Sequence, residues 1–115
     1  MPAFIPLFLL LTTAVVLAGF WKELVDWMRR AAEKVKQMIQ STIEGVKTFI
    51  VRMSDGVKNI AKYYSKNKLT NEYEETVTKK AVNENEVPEE LRAKIRMRLD
   101  VEIDTTAELL AKLSA

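Results

Sequence analysis

TIEGVKTFIVRMSDGVKNIAKYYSK, residues 42–66, holds no proline, and its apolar residues recur at helical spacing: Ile43, Val46, Ile50, Met53, Val57, Ile60 and Tyr64. At 3.6 residues per turn they fall within one arc. The arc continues backwards through GFWKELVDWMRRAAEKVKQMI, residues 19–39, where Trp21, Val25, Met28, Ala32, Val35 and Ile39 hold its line. The pattern predicts one long amphipathic helix over residues 22–67. Its apolar face comprises Val25, Met28, Val35, Ile39, Val46, Ile50, Met53, Val57, Ile60 and Tyr64. Val51 falls on the polar side. Gly45 and Gly56 each cost a helix interior ~1 kcal/mol relative to alanine, so residues 21–43 and 46–64 also read as two helices.

Such a stripe suits two environments. One is the surface of an anionic membrane, with basic residues at the border of the stripe reaching toward lipid phosphates. The other is a helical oligomer, a bundle or coiled coil. The stripe does not drift as a strict heptad seam does, by ~20° per heptad, which disfavours a long left-handed supercoil.

Working outward, residues 3–20, AFIPLFLLLTTAVVLAGF, carry no charge. With Trp21 the run spans ~28 Å as a helix, against a hydrocarbon core of ~30 Å. Residues 1–21 are therefore expected to be a transmembrane helix. The alternatives are a cleaved signal peptide, disfavoured by the missing basic n-region and a poor cleavage site, and a segment buried in a protein core. Trp21, Lys22, Trp27, Arg29, Arg30, Lys36 and Lys47 are the candidate membrane-interface residues. Their charge places the carboxyl-terminal part in the cytoplasm by the positive-inside rule.

Residues 68–115 change period. NEYEETVTKKAV reads as a strand. NENEVPEEL opens a short helix with Pro88 at its first position. IRMRLDVEID alternates strictly from Ile95 to Asp104 and reads as a second strand, with a helix continuing to about Met97 as the competing reading. Thr105-Thr106-Ala107-Glu108 matches a capping box ahead of Leu109, Leu110 and Leu113. The expected fold is thus mainly α: a transmembrane helix continuing into a long basic amphipathic helix, then a small acidic α+β tail of two short strands and two short helices. That tail carries too little apolar surface for a core of its own. It is expected to dock on the long helix, on a sister subunit, or by adding a strand to a partner sheet.

Composition limits the chemistry. The 115 residues include no cysteine and no histidine, which excludes disulfides, thiol catalysis and imidazole acid–base chemistry. The net charge of +2 hides a split. Residues 21–68 carry 11 Lys/Arg and 5 Asp/Glu; residues 69–115 carry 7 and 11. Asp100, Glu102 and Asp104 share one face of the expected second strand and make a weak Mg²⁺ site, but a solvated strand face is the simpler account. No glycine-rich phosphate loop is present. No catalytic residue, metal or cofactor is expected, and nucleic acid is not an expected partner. The sequence reads as a non-enzymatic single-pass membrane protein, an anchor, scaffold or accessory subunit. It would work through self- or partner assembly, with anionic lipid and a homo-oligomer or membrane-protein partner. The alternative is a small membrane-active effector or pore-forming toxin.

Overall fold

The computed structural model describes residues 4–12, 16–38 and 42–114. In chain order the elements are strand β1 (Ile5–Pro6), helix α1 (Leu7–Thr12), helix α2 (Gly19–Met38), strands β2 (Thr42–Met53), β3 (Gly56–Lys66) and β4 (Tyr73–Val82), a 3₁₀ turn (Glu84–Glu86), helix α3 (Glu89–Arg96), strand β5 (Ile103–Asp104) and helix α4 (Thr106–Leu113).

The stretch 42–66 is a long antiparallel hairpin, not a helix. Its composition explains why. Thr42, Ile43, Val46, Thr48, Phe49, Ile50 and Val51 are β-branched or aromatic, as are Val57, Ile60, Tyr63 and Tyr64. Such residues lose rotamer freedom in a helix and pack well on a pleated surface. Ser54 and Asp55 close the turn between Met53 and Gly56. Gly56 has φ +132°, a conformation L side chains rarely adopt, so glycine is required there. At the other end of the hairpin the register shifts between Ile43 and Gly45. A Cβ on Gly45 would land within the Phe4 ring, so glycine is needed there for close approach.

The sheet is antiparallel and five-stranded, in the order β1-β2-β3-β4, with β5 also paired to β2. β1 lies beside Gly45 and Val46, and β5 beside Phe49 and Ile50, so the two short strands share one edge of β2. β4 forms the opposite edge. The fold is therefore α+β, and the expected mainly α architecture is overturned.

The helices cover one face. α2 buries Phe20, Trp21, Leu24, Val25, Met28, Ala31, Ala32 and Val35. These join Ile43, Val46, Ile50, Val57, Ala61 and Tyr63 of the sheet in a single core cluster. Ile5, Leu7 and Leu10 enter it from the amino-terminal side, Leu91 and Ile95 from α3, and Leu109 and Leu113 from α4. Arg29 Nε donates to the Leu10 carbonyl at 2.8 Å and ties α2 to α1.

The same cluster corrects the membrane reading. Among the described residues no helix is long and apolar enough to cross a membrane. The uncharged run is divided among β1, the six-residue α1 and the start of α2, where Gly19 takes φ +57°. Ile5 and Leu10 are fully inaccessible, sealed by protein. Residues 3 and 13–15 lie outside the described residues. The single-pass anchor, and the location in a cell membrane with a cytoplasmic carboxyl-terminal part, do not hold. Nor does a coiled coil, because the stripe of α2 is covered by the chain's own sheet.

In the tail, β4 occupies the stretch read as the first strand. The second does not form over 95–104. α3 runs through Arg96, and Asp100 takes φ +61°, which interrupts the alternating run. Only a bridge from Leu99 to Arg52 and the two-residue β5 pair with β2.

Candidate interaction surface

Directly opposed residues of an antiparallel pair project to the same face. Val46 opposes Tyr63, Thr48 opposes Ala61, and Ile50 opposes Asn59; this is the helix-covered side. The other side follows from the remaining pairs. Lys47 opposes Lys62, which opposes Val77; Phe49 opposes Ile60, which opposes Lys79; Val51 opposes Lys58. Gly45 opposes Tyr64, which opposes Glu75, and Lys66 opposes Tyr73. None of these residues belongs to the core cluster that the helices share. The sheet therefore has a second face outside the helix-packed core, an open face that is exposed along β4 and half-buried or buried along β2 and β3, where the Phe4 ring lies at Gly45.

That face alternates rings and ammonium groups. Lys62 Nζ lies 4.6 Å from the Phe49 ring centroid, Lys66 Nζ 5.7 Å from that of Tyr73, and Lys47 Nζ 5.9 Å from that of Tyr64. Each contact is worth ~0.5–1 kcal/mol where exposed. Val51 and Ile60 lie outside the shared core cluster yet are only 4% and 2% accessible, so the middle of this face is shielded from water.

Acidic groups answer the lysines. Lys62 pairs with Glu102 at 3.1 Å, and Lys58 with Asp55 at 3.1 Å. Lys58 also holds the exposed Asp55 carboxyl below its usual range, first through their hydrogen bond. Tyr64 is pushed up to about 12 by desolvation, then by its hydrogen bond to Glu75 and the charges of Glu75, Asp104 and Glu102. Tyr73 is raised first by its hydrogen bond to Glu44. The open face is thus apolar and aromatic, with near-balanced charge.

The sequence-predicted residues scatter over this architecture. Of the candidate interface group, Trp21 is buried and packs edge-to-face on Phe20, with centroids 5.1 Å apart. Trp27 is half-buried against the core. Lys22 is exposed and pairs with Asp26 at 2.7 Å; Lys36 lies 3.9 Å from Glu33. Arg30 is exposed, Arg29 reaches α1, and Lys47 stands on the open sheet face. Of the apolar stripe, Val25, Met28, Val35, Val46, Ile50 and Val57 meet in the core. Met53, Ile60 and Tyr64 fall by register on the open face. Ile39 lies outside the described residues.

Asp100, Glu102 and Asp104 go separate ways. Glu102 reaches Lys62, and Asp104 Oδ1 accepts the Thr106 amide at 2.8 Å. Among the described residues no group of three or more acidic side chains is placed to hold a metal ion. The open face itself was missed by the helical reading. Its signal was present in the Ser54-Asp55-Gly56 turn between two β-rich runs. No protein-family model, curated protein or solved structure matches the chain.

Proposed function

We propose that this chain is a non-enzymatic assembly protein that presents the open face of its sheet to a partner protein. The observation that carries this reading is a sheet face outside the helix-packed core on which Phe49, Tyr64 and Tyr73 stand beside Lys62, Lys47 and Lys66. Aromatic anchors ringed by polar groups are what protein-binding patches offer. The near-balanced charges favour protein over nucleic acid, whose phosphates call for an uncompensated excess of lysine and arginine. A membrane-active effector fits less well. Inserting the stripe of α2 into lipid first withdraws eight buried side chains from the core, at a cost on the order of 10 kcal/mol.

Lysine acetylation footprinting tests the reading. In native extract Lys47, Lys62, Lys66 and Lys79 lose reactivity relative to the purified protein, while Lys22 and Lys34 of α2 keep theirs. The double variant Phe49→Ala/Tyr64→Ala, checked for folding by circular dichroism, abolishes that protection. Protection confined to α2, or none at all, removes the open face from the function.

A further inference from the structure

β4 is paired with β3 along all ten residues without a register shift, and among the described residues nothing pairs with its outer side. Half of its backbone N–H and C=O groups therefore point outward. A long, regular edge of this kind is a template for another strand, and native proteins usually blunt it. Here the edge carries opposite charges at its two ends: Glu74 and Glu75 near the start, Lys79 and Lys80 near the end. Neither lysine forms an ion pair among the described residues.

We propose that β4 pairs antiparallel with β4 of a second copy of this chain, about a two-fold axis through Val77. A two-fold axis normal to the sheet keeps each residue on its face, so opposed positions sum to a constant even number. Centred on Val77, Thr76 meets Thr78, Glu75 meets Lys79, Glu74 meets Lys80 and Tyr73 meets Ala81. Both halves of the interface then carry two Glu–Lys cross-strand pairs. A centre on Thr76 retains only Glu72 with Lys80, and a centre on Thr78 sets Glu75 against Ala81 and Glu74 against Val82. Opposite charges directly across an antiparallel pair stabilise it, and like charges destabilise it.

Two further observations fit a second copy. Val77 and Tyr73 are 44% and 57% exposed on the open face, and self-pairing brings Val77 against its own symmetry mate. Glu74 accepts from Asn67 Nδ2 at 3.3 Å, which orients the carboxylate and leaves lone pairs for a lysine. The rotation keeps both sets of helices on one side. The two open faces become one continuous surface, whatever that surface binds.

Sedimentation of the full chain at rising concentration, with a charge-reversal pair, tests the proposal. The parent chain dimerises, and the dimer weakens with salt. Lys79→Glu/Lys80→Glu makes β4 wholly acidic at these positions and is monomeric; Glu74→Lys/Glu75→Lys makes it wholly basic and is also monomeric. Circular dichroism matches the parent in both. Mixed in equal amounts, the two variants form a heterodimer, which shows both to be folded. A parent chain monomeric throughout, a dimer that survives either double substitution, or a mixture that stays monomeric overturns the proposal. None of these results depends on the footprint of the open face.

Discussion

Thr48 of β2 and Thr106 at the start of α4 are joined in a buried polar knot. Thr106 Oγ1 accepts from the Thr48 amide at 3.1 Å and donates to the Thr48 carbonyl at 3.2 Å. Thr105 N donates to the same carbonyl at 2.9 Å, and Thr48 Oγ1 reaches the Ile60 carbonyl at 3.3 Å. Thr48 and Thr106 are 0% and 2% accessible. A buried amide without its acceptor loses the bond and keeps the desolvation cost. Thr106→Val, nearly isosteric, is expected to destabilise the protein by ~1–3 kcal/mol. The midpoint of urea unfolding should fall with an unchanged slope. An unmoved midpoint would mean that the Thr48 amide has another acceptor. The sequence hid this role because a Thr-x-x-Glu spacing fits a capping box equally well. No side-chain cap bond forms at Thr105; Asp104 receives the Thr106 amide, and the hydroxyl is drawn to β2.

Among the elements, the hairpin shows why half of the pattern was legible. In α2 the buried positions recur every three or four residues and the polar ones face water, so the helix is written in its own period. In β4 the alternation of Thr76, Thr78 and Lys80 with Val77, Lys79 and Ala81 is likewise local. β2 and β3 break the rule on both faces. Their covered side includes Thr48, Asn59 and Ser65, all buried, while their open side includes Phe49, Val51, Ile60 and Tyr64. Polar residues inside and apolar residues outside blur a period of two into an apparent helical stripe, and the bulge between Ile43 and Gly45 shifts it further. Tyr63 belongs to this covered side. Its hydroxyl donates to the Met28 carbonyl at 3.0 Å and joins β3 to α2. Burial pushes its pKa up to about 12 from the ordinary 10. The folded state thus binds this proton more tightly than the unfolded chain does. Its contribution to stability is complete below pH 10, declines between pH 10 and about 12, and is gone above. Tyr63→Phe is expected to lower stability near neutrality by ~1 kcal/mol and to flatten the alkaline fall. Chemical denaturation at several alkaline pH values, with tyrosinate absorbance followed in parallel, checks both. An alkaline fall of unchanged steepness would place the linkage on Tyr64 and Tyr73 instead.

At the scale of the molecule, apolar burial rather than charge joins the parts. The basic stretch 21–68 and the acidic stretch 69–115 suggest mutual attraction, yet among the described residues Lys62–Glu102 is the one ion pair between them. With both side chains still partly in water, this pair contributes about 1 kcal/mol or less. The core cluster instead draws side chains from β1 and α1, from α2, from the hairpin, and from α3 and α4. Removing any one of these elements opens the same core, so the chain is expected to unfold in a single transition. A chain built as three separable segments would lose them one at a time. Trp21 and Trp27 both lie on α2 and report its docking by fluorescence, whereas far-ultraviolet circular dichroism reports the sheet and all helices together. The two signals should give one midpoint and one slope in urea. If the tryptophan signal moves first, α2 leaves the sheet as an independent unit and the shared core is not what holds the fold. If the midpoints coincide, the covered face is fixed by folding, and binding falls to the face and edge that the helices leave open.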